Sequence, residues 1–239
     1  MTIFKQIPTA RLADSVTEQL KEAIFQGRYQ PGERFPPENR LVEMFGVSRI
    51  VVREAIRNLE NSGLIQIKRG PTGGAFLLPM NHKSTTLVLR DALTLGRANV
   101  SHLMEVRLDV EPLVARMAAL KKTEEDIESF SQWLKRSPEF PGHEYLTWNV
   151  EFHRLVAKAC HNPIYEILVN ILMDFTEELL SKIKPPRLAI HDRVSHQAVL
   201  ERIKESDAQG AGRLYREHLL KIMPLLQKLE GSSHGKLFS

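Results

Sequence analysis

The chain has 239 residues, 42% hydrophobic and 26% charged, with a formal net charge of +4 and a single cysteine. Those proportions sit near globular averages of about 45–50% and about 25%, which excludes a wholly disordered or collagen-like chain, and the length suits one large or two modest domains. One cysteine excludes an intramolecular disulfide and a cysteine-cluster zinc site, and a reducing, cytoplasmic setting is expected.

The start, MTIFKQIPTARLADSV, carries no apolar targeting core, and the most apolar stretch, IYEILVNILMDF, is interrupted by Glu166 and Asp174. It falls short of the roughly 18 residues a membrane span needs, so no membrane partner is expected. The positive charge is uneven: residues 1–80 hold 11 Lys+Arg against 8 Asp+Glu, while the rest is nearly balanced. A polyanion is therefore to be sought at the N-terminal third.

The elements follow in chain order. RLADSVTEQLKEAIFQGRY sets Leu12, Val16, Leu20, Ala23 and Ile24 at helical spacing, and Gly27 with Pro31-Gly32 ends the helix. A short helix with Leu41, Val42 and Phe45 inward follows, broken at Gly46, then a second helix capped by Ser48 and closed near Gly63. Two helices about a glycine turn make a helix-turn-helix. Leu64–Ile67 and Ala75–Leu78 read as strands around a glycine-rich loop, the hairpin wing of a winged helix, with Lys68-Arg69 at its tip. Pro79–Ser84 reads as a linker. Beyond it the periodicity is helical throughout, with helices expected near 85–97, 100–121, 123–136, 143–160, 163–183, 187–205 and 207–229. The expected fold is mainly α: a winged helix-turn-helix over 1–79 (three helices plus hairpin), a linker over 80–84, an all-helical bundle over 85–230 and a frayed tail over 231–239.

Arg49, Arg53 and Arg57 recur every four residues on the second helix of the pair, opposite an inward stripe of Val52, Ala55, Ile56 and Leu59. A helix fits the major groove, arginine bonds guanine O6 and N7 bidentately, and Ser48 with the helix N-terminus can hold phosphate. On an isolated helix such a row is most often a solvated face; between a tight turn and a cationic glycine wing it points to DNA.

In the bundle, Asn149 and His153 stand at i and i+4, stacked on one helix face and able to share an ion. His196 and His218 lie on two later helices and could point inward; a lone histidine is more often a core or surface residue. Cys160 and His161 precede Asn162-Pro163 and read as turn structure, and His102, His143 and His191 as caps or surface groups.

Residues 9–79 resemble the DNA-binding domain of GntR-family bacterial repressors through PGERFPPE at 31–38, VSRIVVREA at 47–55, Leu59 with Gly63-Leu64-Ile65, and RGPTGGAF at 69–76. The resemblance implies that Ser48, Arg49, Ile50, Val51 and Arg53 face DNA and that Arg69 enters the minor groove beside Gly70. Asn39 departs from the pattern, standing where many relatives carry an operator-contacting arginine. Residues 85–229 resemble the FadR-type helical effector domain, the FCD domain, through Glu105-Val106-Arg107, Glu111-Pro112, Phe152-His153, Asn162-Pro163, His196 and Glu217-His218-Leu219. Metal-binding members pair an Asp or Asn with three histidines, which implies a divalent ion, zinc first with nickel, manganese or cobalt as alternatives, held by Asn149, His153, His196 and His218.

Four neutral ligands would leave the ion its +2 charge and its attraction for a carboxylate. Arg107 is expected to bind the same small organic or sugar acid effector, or else to pair with Glu105 or Glu111. Asp109 is a further candidate ligand or ligand partner. The function expected is a homodimeric, ligand-responsive transcriptional regulator, a repressor on a double-stranded DNA operator, and not an enzyme. Two alternatives stand beside it. One is a metal-dependent hydrolase fused to a nucleic-acid-binding domain, with Glu151 or Glu217 as general base; the other is an acyl-CoA-sensing regulator, against which the histidine set argues, since the founding member of that branch lacks it.

Overall fold

The computed structural model describes residues 9–70, 72–79, 82–96, 98–138, 143–181 and 189–232. The chain divides into two compact units, 1–84 and 85–239.

In the first unit α1 (Thr9–Phe25), α2 (Glu38–Phe45) and α3 (Arg49–Asn61) enclose a core of Val16, Leu20, Phe35, Leu41, Val52 and Leu59. Leu12, expected inward, is exposed, and Ala13 takes the buried place; α1 packs on α3, and the small side chain sits within that contact. Gly46 ends α2 in the left-handed region (φ 62°), which a glycine adopts without strain, and Ser48 caps α3 by accepting from the Val51 amide at 3.4 Å.

The wing is an antiparallel pair, β1 (Ile65–Lys68) and β2 (Gly74–Leu77), in register from Ile65 opposite Leu77 to Lys68 opposite Gly74. The segment expected only to turn at Pro31-Gly32 also pairs with it. Gly32 donates to the Leu77 carbonyl at 2.8 Å, Phe35 to that of Ala75 at 2.8 Å, and Leu77 to that of Glu33 at 2.9 Å. β2 is thus bonded on both edges, a long-range pairing that no local periodicity signals.

The second unit is helical: α4 (Lys83–Leu95), α5 (Val100–Lys121), α6 (Glu124–Lys135), α7 (His143–Ala159), α8 (Pro163–Ser181), α9 (Ala189–Lys204) and α10 (Ala208–Ser232). The bounds fall close to those expected. α4 begins inside the stretch read as a linker, α10 runs through Gly231 and Ser232, and the tail from 233 lies outside the described residues. α5 packs along α10 and against α7, α7 along α8 and α9 along α10, with α6 contributing Phe130 and Trp133 to the shared core.

Polar residues fix the helix starts. Asn99 and His102 form a reciprocal capping box on α5, and Thr123 and Asp126 another on α6. Pro112 lies inside α5 and cannot donate to the carbonyl of Leu108; Arg216 of α10 fills that vacancy at 2.9 Å. Among the described residues no helix is long and apolar enough to cross a membrane.

Candidate functional site

Two groups of residues stand apart from ordinary packing, one in each unit. On α3, Arg49, Arg53 and Arg57 are exposed, as the four-residue spacing requires, and Ile50 beside them is 70% exposed. Arg53 is held from α2 by Glu38, whose Oε2 accepts from Nε at 2.8 Å. Val51, expected to face DNA, is 2% exposed and packs in the core beside Val52, because it lies on the same helix face as Ala55 and Leu59. Asn39 is exposed on α2.

At the wing, Arg69 and Gly70 are both exposed. Gly70 has φ 108° and Gly74 φ 146°, and a Cβ on Gly73 would lie 2.4 Å from the Lys68 carbonyl, so the tip tolerates no side chain at these positions. Lys68 lies over the Phe76 ring at 4.8 Å, leaving Arg69 as the cation at the tip.

The bundle carries the second group. His153 of α7, His196 of α9 and His218 of α10 are all buried and converge, one ring nitrogen from each lying within 4.8 Å of the others. The Nε2 atoms of His196 and His218 are 3.1 Å apart. Two imidazole nitrogens bound tetrahedrally at about 2.05 Å stand about 3.3 Å apart, so the spacing suits a shared ion as well as an N–H···N bond. Asn149 is buried one turn before His153, its amide nitrogen donating to the Tyr145 hydroxyl at 3.5 Å. Phe152 stacks on His196 with centroids 3.8 Å apart and planes 13° apart, backed by the Trp133–Trp148 pair, whose indole nitrogens each donate to the other's carbonyl.

Arg107 has a different partner from the ligand expected for it. It is fully buried, and its guanidinium bonds Glu111, one turn along α5, at 2.5 Å and 3.4 Å. It also donates to the Thr176 hydroxyl at 3.2 Å. A buried cation needs an anion in contact, and i+4 on the same face supplies it. Glu111 continues the network, for its Oε2 lies 2.7 Å from His153 Nδ1 and accepts from the Tyr215 hydroxyl at 2.9 Å.

The electrostatics follow from burial and from these charges. Burial alone would raise the Glu111 carboxyl, but Arg107 and then His153 more than offset it and hold the group well below the usual carboxylate range. Burial lowers the His153 imidazole, countered only in part by Glu111, and lowers that of His196 much further, with His218 and His153 adding to the effect. Burial and the Glu111 charge push the Tyr215 phenol well up. Neutral imidazoles are the protonation state a metal requires.

The remaining candidates lie elsewhere. Asp109 is exposed on the outer face of α5, in a groove with Arg116 and Arg213, because two residues from the buried Arg107 is the opposite side of a helix. Glu151 pairs with Arg136 at 2.8 Å and Glu217 is exposed, so neither stands at the histidines as a general base. His161 adopts φ 47° in the α7–α8 turn and bonds the buried Asp126 at 2.7 Å, the structural role expected. His102 belongs to its capping box. The side chains of His143 and His191 lie outside the described set.

Glu111 and Tyr215 are the participants that sequence reasoning missed. Glu111 was legible only as a partner for Arg107. Tyr215 stands three residues before His218, a spacing that puts both on one face of α10, but nothing local says that the face meets His153.

Comparison with known proteins gives two matching family profiles. Residues 12–74 match the one described as bacterial regulatory proteins, gntR family, and residues 102–221 the FCD domain. The HTH-type transcriptional repressor NanR of Enterobacter sp. (strain 638) is 31% identical, over 90% of this chain and 86% of that protein. The protein of the same name from Cronobacter sakazakii is 27% identical, over 93% of this chain and 88% of that protein. Among solved structures, Streptococcus agalactiae GntR superposes with a TM-score of 0.68 at 21% identity, covering 89% of this chain and 99% of that one, a likeness of fold.

Proposed function

The chain belongs to the gntR family of bacterial regulatory proteins and carries an FCD domain, and from that premise we propose that it is a repressor whose bundle binds a divalent metal and a small carboxylate effector. The observation that carries the metal is the convergence of three buried histidines from three helices, one ring nitrogen from each within 4.8 Å of the others. Buried polar groups without a purpose are costly, and three buried imidazoles, of which burial lowers the pKa of His153 and His196, form a ligand set suited to zinc, nickel or cobalt.

On the DNA side, Arg49, Ile50 and Arg53 enter the major groove with the N-terminus of α3, Ser48 and the first amides hold a phosphate, and Arg69 beside Gly70 reaches the minor groove. One winged helix covers one half-site, so the operator is read by a homodimer with a palindromic site. In the bundle, His153, His196 and His218 with Asn149 hold the ion, which supplies, when bound, a +2 charge to attract the carboxylate of an organic or sugar acid. Asn149 contributes an amide and not a carboxylate, so the charge is not reduced. Arg107 is committed to Glu111 and acts on the site through it. Effector binding then favours one of two arrangements of the dimer, and operator affinity follows from that shift.

Metal analysis of the purified full chain tests the proposal, followed by thermal melting with zinc, nickel, manganese or cobalt and then a panel of organic and sugar acids. About one ion per chain is expected, and an acid at about 100 times its dissociation constant should add about 2.7 kcal/mol of stability. A metal-free chain that no divalent ion stabilises removes the metal centre and the effector mode that depends on it.

A further inference from the structure

Resting on the reading of His153, His196 and His218 as metal ligands, we infer that Glu111 and Tyr215 are positioning residues: they fix His153 with its proton on Nδ1 and so turn the Nε2 lone pair toward the other two histidines. The inference comes from counting protons around one nitrogen. Glu111 Oε2 and the Tyr215 hydroxyl both crowd His153 Nδ1, at 2.7 Å and 2.6 Å, and they touch each other at 2.9 Å. Arg107 bonds both carboxylate oxygens of Glu111, which holds that group as an anion with acceptors only.

An acceptor 2.7 Å from a ring nitrogen needs a hydrogen between them, and the imidazole must supply it. Tyr215 spends its single proton on Glu111, and its oxygen then accepts a share of the Nδ1–H. The opposite arrangement, a bare Nδ1 receiving the tyrosine proton, would set the nitrogen lone pair directly against the carboxylate. A neutral ring protonated at Nδ1 carries its lone pair on Nε2. The Glu111 carboxylate, the Tyr215 hydroxyl and the His153 Nδ1–H are thereby matched with one another, inside a core where an unmatched group is costly.

His196 is held differently. Among the described residues its Nδ1 is buried without a hydrogen-bond partner, and its ring stacks on Phe152. Of these two histidines, His153 is thus the one whose tautomer and basicity are set by a carboxylate, the arrangement by which outer partners strengthen a metal ligand. Thr176 anchors the far end of the tetrad on α8 through Arg107, so the carboxylate is itself fixed from two helices.

Nitrogen-15 NMR of the metal-free full chain is the first test, with His153→Gln identifying the resonance. A pyrrole-type Nδ1 and a pyridine-type Nε2 are expected for His153; the reverse pattern overturns the assignment. Zinc affinity, measured by competition with a chelator and with zinc as the sole added ligand, is the second. Tyr215→Phe and Glu111→Gln, neither of them a ligand change, should weaken zinc by 10–100-fold, and a mixed His153 tautomer should appear in Glu111→Gln, which removes the carboxylate facing Nδ1. Should Glu111→Gln fail to fold because Arg107 loses its charge partner, Tyr215→Phe keeps the ring and the Arg107–Glu111 pair and decides alone. Zinc affinity unchanged in Tyr215→Phe overturns the positioning role. A parent protein that takes no zinc yet shows the expected nitrogen pattern overturns the metal reading and leaves the tautomer assignment supported.

Discussion

On α3, three arginines stand in solvent with a glutamate from α2 touching one of them; on α5, a single arginine is sealed from solvent and bonded to a glutamate, a threonine and, through the glutamate, a histidine and a tyrosine. The side chain is the same and the physics is opposite. In water the Arg53–Glu38 pair contributes little to stability, and the guanidinium can change partner at small cost when a phosphate or a base arrives. In the bundle core neither Arg107 nor Glu111 can be removed alone, because the other is left as an unpaired charge in a medium that cannot solvate it. Surface arginines are free to recognise a partner, whereas the buried one fixes the geometry of its neighbours.

If burial sets this difference, the largest effect comes from breaking the buried pair. Arg107→Met should cost about 3–5 kcal/mol in urea unfolding, while Arg49→Ala should stay within about 0.5 kcal/mol. Equal costs in the two would show that the pair on α5 is solvated after all.

Next in size is the metal. Double replacement of His153 and His196 by Ala should abolish the melting-temperature gain on adding zinc, a gain worth about 2.7 kcal/mol at 100 times the dissociation constant. Its nonspecific DNA binding should keep the parent's salt dependence, since no phosphate contact is touched.

Adjacent residues on α3 sharpen the contrast within one helix. Ile50→Ala should leave unfolding unchanged and alter binding to a selected operator, whereas Val51→Ala should cost about 2 kcal/mol of stability and leave the operator preference intact. Arg49→Ala and Arg53→Ala should each weaken specific binding by about 1–3 kcal/mol at fixed salt if they read bases. A Val51 variant that changes base preference without loss of stability would put that side chain in the groove.

The smallest effect is expected at Asp126. Burial alone would raise its carboxyl, but the Thr123 amide and His161 more than offset it and hold it below the ordinary aspartate value. A group lowered in the folded state stabilises fully above its unfolded pKa, near about 3.9, and the contribution is lost as pH falls through the lower folded value. Asp126→Asn should flatten the acid limb of the stability curve below about pH 4 and cost about 1 kcal/mol at neutral pH through the weakened cap.

By itself the sequence determined nearly all of the helices, the wing and the arginine face. Each depends on neighbours within about four residues or on a glycine that only certain backbone angles require: Gly46 for the turn, Ser48 for the cap, Arg49, Arg53 and Arg57 for the exposed row. Asn149 and His153 were legible as a pair for the same reason. Tertiary structure alone decided what lies on the far side of a contact. It bonded the Gly32–Phe35 segment to the wing and brought Tyr215 and Glu111 to His153 across 62 and 42 residues of chain. Periodicity says which face of a helix is buried; which groups meet there depends on how α5, α7, α9 and α10 pack, and no single helix contains that information.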